Sequence, residues 1–143
     1  MGAADSGPNP AVIPVQSAAR ENTAFRTVLW TGSHLQLTVM SIPVGLDIGL
    51  ENHPELDQLI RVEQGRGVVR MGRSQDRLEF QRQVSAGDGI LVPAGTWHNV
   101  SNLGGQPLQL SSIYAPPQHP RGAVHRTKED AMAAEESEQN AGV

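Results

Sequence analysis

Apolar and polar residues alternate along this chain with a period of two, in short stretches broken by turns, and this points to strands rather than helices. The clearest stretch is His34-Leu35-Gln36-Leu37-Thr38-Val39, which puts Leu35, Leu37 and Val39 on one face. A strand series opens at Val28, and Pro43 with Gly45 closes the strand that contains the alternating run. Residues 46–53 read as a further strand, ended by Pro54, which holds His53 in an extended conformation. Residues 58–63 follow, with Gln58, Ile60 and Val62 sharing a face, and Gln64-Gly65-Arg66-Gly67 makes a hairpin turn into 68–71. After a polar turn over 72–77, strands are predicted at 78–84, 90–92, 97–100 and 108–114, with Ala86-Gly87-Asp88-Gly89 and Pro93-Ala94-Gly95 as turns. Strands recurring every ~8 to 12 residues with turn signals between them indicate an all-β sandwich or small barrel.

The two ends break this rhythm. Residues 1–10 are small, polar and rich in Pro and Gly, which predicts a mobile tail. Beyond Arg121, Thr127-Lys128-Glu129-Asp130 and the following Ala/Met/Glu run predict one short helix, capped by Thr127 and presenting its charges to solvent.

Composition narrows the function classes. The 143 residues suit one domain, and 38% hydrophobic content suits a compact core. The aromatic residues are Phe25, Trp30, Phe80, Trp97 and Tyr114, too few for a base-stacking platform. A formal charge of -4 without a basic block gives nucleic acid nothing to hold. No apolar run approaches the ~20 residues of a membrane span. The opening MGAADSGPNPAVIPV lacks the basic start and apolar stretch of a signal peptide, so the expected location is cytoplasmic. Cysteine is absent, so disulfides and sulfur-ligated metals are excluded and any metal must rest on nitrogen and oxygen.

The histidines are His34, His53, His98, His119 and His125. A single histidine is more often a surface or core residue than a ligand, but two of these keep suggestive company. Glu51 and His53, two apart on a strand, leave the same face with Cα atoms about 6 to 7 Å apart. Gln58 starts the next strand, and His98 follows the Pro93-Ala94-Gly95 turn. If all four point into one interior, they offer two imidazoles, a carboxylate and an amide oxygen, and Glu51, His53 and His98 form a 2-His-1-carboxylate set with open positions. Asp57 competes with Gln58, but Gln58 shares a face with Ile60 and Val62, and Asp57 reads as a turn residue. Trp97 reads as rim packing beside His98. His119 and His125 are expected at the surface, unless the tail folds over a pocket mouth, and His34 is taken as structural.

From about residue 29 to 114 the chain resembles the cupin superfamily. Gly87, Pro93, Gly95, His98 and Asn102 match every position of the family's second motif. Gly45, Glu51, His53, Gln58 and Gly65 match the spacing of the first, with Glu51 where a histidine is usual and Gln58 where a glutamate is usual. The stretches ENHPELDQLIRVEQGRG, PAGTWHN and APPQHPRGAVHRTKEDA resemble bacterial single-domain cupins. The resemblance implies a double-stranded β-helix, a jelly-roll barrel, with a short C-terminal helix. It divides the chain into a flexible N-terminal arm (1–24), a cupin barrel (25–116) and a C-terminal tail with a short helix (117–143).

It also implies one divalent metal ion held by Glu51, His53, Gln58 and His98. The two departures compensate, because one carboxylate is lost at Gln58 and one is gained at Glu51. The donor set suits Fe, Mn, Ni, Co or Zn. The expected function is a metal-dependent enzyme on a small oxygenated substrate (carbonyl, sugar or carboxylate), by Lewis-acid isomerase or lyase chemistry, with Glu51 as ligand or base. Similar cupins with glutamine at the position of Gln58 include non-oxidative enzymes of uronate breakdown and polyketide cyclisation. The alternatives are an Fe(II)-dependent dioxygenase and a non-catalytic small-ligand-binding cupin. The resemblance further implies a homodimer.

Overall fold

The alternating stretches become two facing antiparallel sheets in the computed structural model, which describes residues 5–141. In chain order the elements are α1 (Val15–Glu21), β1 (Arg26–Thr31), β2 (Gln36–Ile42), β3 (Asp57–Gln64), β4 (Arg66–Gly72), β5 (Phe80–Ser85), β6 (Gly89–Val92), β7 (Trp97–Asn102), β8 (Leu108–Ala115), β9 (Val124–His125) and α2 (Lys128–Ala141). One sheet has the order β6-β3-β8-β2-β1-β9 and the other the order β5-β4-β7. The sheets are not joined by a continuous ladder, so the jelly roll is a sandwich of two sheets around one interior rather than a closed barrel.

The interior is graded along its strands. Pairing sets Gln36 beside Tyr114 and Tyr114 beside Gln58 at one end. Thr38, Ser112 and Ile60 form the next row, then Met40, Leu110 and Val62, and finally Ile42 with Leu108. Polar side chains thus predominate in the first two rows, Ile60 excepted, and hydrocarbon fills the last two. Met71, Val69, Val84, Ile90 and Val100 complete the apolar half from the other strands. Burying this half supplies the main stabilising term, at about 25 cal/mol per Å² of apolar surface removed from water.

The alternation in β2 has a consequence that periodicity alone does not show. Leu37 and Val39 face outward, where they pack with Ala19 of α1 and Leu29, while Gln36 and Thr38 face the interior. Leu35 is exposed. The outer face of the large sheet is therefore a second apolar surface, and α1 covers it. Gln109 on β8 ties the helix down, its Nε2 donating to the carbonyls of Ala19 at 2.6 Å and Asn22 at 2.8 Å.

This corrects the expectation of a flexible arm over 1–24 and a mobile tail over 1–10, as far as the described residues go. Asp5 accepts hydrogen bonds from Gly7 N (2.9 Å), Thr31 N (3.0 Å), Thr31 Oγ1 (2.6 Å) and Gly122 N (2.9 Å). A polar, Gly/Pro-rich segment is ordered here by this carboxylate together with hydrogen bonds of its main chain, from Trp30 Nε1 to Asn9 O at 2.8 Å and from Ser6 N to Leu29 O at 3.1 Å. Residues 1–4 and 142–143 lie outside the described residues.

Residues 46–53 also depart from expectation. They form no regular strand, but run beside β7 through isolated bridges, Asp47 with Ser101 and Glu51 with His98. Gly49, at φ +95°, breaks the extended backbone between the two bridges. The C-terminal helix is as expected, and its N-terminus is a reciprocal cap. Asp130 N donates to Thr127 Oγ1 at 3.1 Å, and Thr127 N donates to Asp130 Oδ2 at 3.3 Å. Among the described residues no helix is long and apolar enough to cross a membrane.

Candidate metal centre

The bridge between the irregular segment and β7 brings the first two site residues together. Glu51 N donates to His98 O and His98 N donates to Glu51 O, both at 2.9 Å. Residues directly opposite each other in an antiparallel pair carry their side chains on the same face. His53, two residues after Glu51, is anchored by Gly95 N donating to its carbonyl at 3.0 Å. Carboxylate and imidazole atoms of Glu51, His53 and His98 consequently lie within 4.8 Å of one another, a cluster that can hold an ion. Glu51 Oε2 is 3.3 Å from His53 Nε2 and 3.9 Å from His98 Nε2. Two ligands on one ion with bonds of about 2.0–2.2 Å must sit no more than about 4.4 Å apart, so both separations fit.

The proton assignment on His98 supports the same reading. Its Nδ1 lies 3.0 Å from the carbonyl oxygen of Thr96, which can only accept, so Nδ1 carries the hydrogen. Nε2 is left with a bare lone pair, buried and without a hydrogen-bond partner. A backbone carbonyl that fixes the tautomer in this way is the usual support of a metal-bound histidine. Burial lowers the His98 pKa, partly opposed by the Thr96 carbonyl and the charge of Glu51, which keeps the ring neutral at pH 7.

Arg26 supplies the counter-charge. It is 1% exposed, and its Nη2 lies 3.8 Å from Glu51 Oε1. The Glu51 carboxylate is therefore divided, with Oε1 toward the guanidinium and Oε2 toward the two imidazoles. Burial would push the Glu51 carboxyl up, but His53 at hydrogen-bond range and the charge of Arg26 outweigh it and hold the pKa below the usual range. An ion pair with Arg26 alone would account for Oε1. It leaves the convergence of Oε2 and two imidazoles unexplained.

Gln58 sits on the inner face of β3, as expected, with Nε2 donating to Ser112 Oγ at 2.9 Å. Its Oε1 is buried without a donor, an orphan acceptor of the kind a cation satisfies. Asp57 is exposed and accepts from Ala94 N at 2.9 Å, so it braces the turn before β7 and is not in the cluster. Trp97 lines the rim of a cavity of about 680 Å³, which Glu51, His53, Gln118, His119 and Glu135 also border. His34 is exposed.

Surface placement of His119 and His125 is overturned. Both are buried, because the chain after β8 folds back across the open end and β9 pairs with β1. The two rings lie 6.2 Å apart, and His119 stands edge-on to Tyr114 at 5.0 Å. Sequence reasoning also missed Arg26 and Tyr114. The available signal for Arg26 was a cation at the start of the largely apolar β1. Tyr114 was read only as the end of a strand, although it lies opposite Gln58. Burial raises its pKa against the opposing charge of Arg26, so its hydroxyl stays protonated at neutral pH.

With this geometry in place, comparison with other proteins extends it. The Cupin domain model matches residues 38–114. Uncharacterized protein YrkC of Bacillus subtilis (strain 168) is 59% identical over 132 residues, covering 92% of this chain and 71% of YrkC. The crystal structure of BH2720 from Bacillus halodurans superimposes with a TM-score of 0.91 at 61% identity, over 92% of this chain and 99% of that one. KdgF from Halomonas sp. shares the fold more distantly, with a TM-score of 0.58 at 20% identity over 65% of this chain and 80% of its own. From the motif spacing, the facing sheets and these matches together, the chain belongs to the cupin family.

Proposed function

We propose that this protein is a metal-dependent enzyme acting on a small oxygenated substrate by non-oxidative, isomerase- or lyase-type chemistry, with Glu51, His53, Gln58 and His98 as ligands to one divalent ion. The observation that carries the reading is the meeting of Glu51 Oε2, His53 Nε2 and the bare, buried Nε2 of His98, with Glu51 and His53 at the wall of a cavity large enough for a small molecule. Fe, Mn, Ni, Co and Zn all suit these donors, and such an ion supplies Lewis acidity toward a carbonyl or carboxylate oxygen.

The chain's own groups do the rest. The Thr96 carbonyl holds His98 in the ligand tautomer. Arg26 keeps Glu51 ionised and weakly basic, which favours the ligand role over that of a base. Gln58 contributes a neutral oxygen, so the ligand set carries a single negative charge. Set against a divalent cation and Arg26, that leaves the site net positive, which favours a substrate that bears a carboxylate or develops enolate character. Leu50, Trp97 and Pro120 line the cavity with apolar surface. Assembly as a homodimer is part of the proposal on family resemblance alone, and light scattering of the purified chain checks it.

The test is to purify the protein without added metal, measure metal by mass spectrometry, and follow a panel of hydroxy acids, keto acids and aldoses by NMR with an oxygen electrode. About one ion per chain is expected, together with turnover that consumes no oxygen. His98→Ala should lose most of the metal while its far-UV circular dichroism is unchanged. Substrate-dependent oxygen uptake would replace this reading with dioxygenation, and unchanged metal content in His98→Ala would remove the site.

A further inference from the structure

His119 borders the same cavity as Glu51 and His53, yet it is not among the clustered ligand atoms. It is 6% exposed, and neither ring nitrogen has a hydrogen-bond partner. Its position is nonetheless closely specified. Gln36, fully buried on β2, accepts from the backbone N–H of Gln118 at 3.0 Å and of His119 at 2.9 Å, and donates to the His119 carbonyl at 2.8 Å. The ring stands against Tyr114, which in turn lies 5.9 Å from His53.

A buried polar atom without a partner is destabilising, and an apolar ring of similar shape would avoid that cost. A purely space-filling role therefore leaves the imidazole without a reason, while the Gln36 clamp on the backbone fixes where the ring stands. Burial, reinforced by the charge of Arg26, lowers the His119 pKa to about 2, so at neutral pH one nitrogen donates and the other accepts.

The walls of the cavity narrow the ligand further. Among the described residues that line it there is no lysine or arginine, and the charged ones are Glu51 and Glu135. Phosphate groups are usually met by Arg, Lys or a helix N-terminus. We infer that His119 is a ligand-binding residue of this cavity, and that its ligand is an unphosphorylated hydroxy acid or hydroxyketone whose oxygen pairs with the imidazole while the other end reaches the Glu51, His53 and His98 cluster. This rests on the metal-centre reading and goes beyond it by naming the second anchor and the ligand class.

The experiment uses the full chain loaded with Zn²⁺, glycolate as probe and 2-phosphoglycolate as counter-probe, with affinity measured by calorimetry. Wild type should bind glycolate and bind 2-phosphoglycolate more weakly. His119→Phe should weaken glycolate at least tenfold while zinc content stays constant and Tm does not fall. His119→Gln, which keeps a donor, should recover part of the loss. Undiminished glycolate affinity in His119→Phe overturns the inference, with or without a drop in Tm. So does absence of glycolate binding by the zinc-loaded wild type, or tighter binding of 2-phosphoglycolate. Zinc stoichiometry separates the two failures: ligand results that go wrong at one zinc per chain defeat the His119 assignment alone, whereas no zinc in the wild type defeats the metal centre as well.

Discussion

Arg26 is among the largest fully buried side chains of the described residues. Its guanidinium lies inside the protein among Glu51, Glu135 and the Nδ1 of His125, at 3.8, 3.5 and 3.3 Å. Removing one partner of a buried ion pair leaves the other charge uncompensated, which costs about 3 kcal/mol or more. Arg26→Met should therefore lower the unfolding free energy of chelator-treated protein, measured by urea denaturation, by an amount of that order. The loss should shrink when divalent metal is restored, because the ion then offsets Glu51. An equal loss with and without metal would separate Arg26 from the proposed centre. Residues of this kind were hard to read from sequence because their meaning depends on contacts across the fold. Glu51 and His53 were legible as a pair because residues two apart in extended chain share a face, and His98 joined them through the motif resemblance. His119 and His125 were not, since only the return of the tail across the open end gives them a role.

At the level of elements, the period-two pattern anticipated β2 to β8 because side chains on a strand alternate strictly between faces. It could not say which face is inward. In β2 the hydrophobic side turned outward under α1, and the polar side entered the buried interior. The segment carrying Glu51 and His53 was legible as extended chain, but Gly49 reduces it to two bridges. The N-terminal segment was illegible because the Asp5 carboxylate and scattered main-chain hydrogen bonds, not a run of apolar residues, hold residues 5–9. Burial would raise the Asp5 pKa, but hydrogen bonds from the Thr31 hydroxyl and from the N–H groups of Gly7, Gly122 and Thr31 hold it below the usual 3.8. A carboxyl with a depressed folded-state pKa stabilises the protein above its unfolded value, and that contribution is lost as pH falls through the lower one. Asp5→Asn should cost about 1–2 kcal/mol at pH 7. The difference from wild type in urea denaturation should hold above pH 3.8 and narrow as pH falls below it. A gap that does not narrow at all in acid would mean the anchor does not depend on charge.

For the molecule as a whole, the buried histidines set the response to acid. Burial lowers the pKa of His98, His119 and His125, so the native state refuses protons that the unfolded chain accepts near 6.5. Stability is present in full above that value and falls as pH drops beneath it. With a native pKa of about 2, His119 alone should account for about 2 kcal/mol of loss at pH 5. In chelator-treated protein the midpoint of thermal unfolding should decline from about pH 6 downward, and His119→Phe should flatten that decline. An identical slope in the variant would mean that other groups carry the acid sensitivity. The rows across the interior bear on something else. Because hydrocarbon fills one end of the interior, the positions that hold the protein together are largely distinct from those that line the cavity. Met40, Ile42, Val62, Leu108 and Leu110 could stay constant while Leu50, Trp97 and Gln118 are randomised. That makes the chain a ready starting point for directed evolution toward new reactions, with selection on foldedness and selection on turnover acting on separate codons.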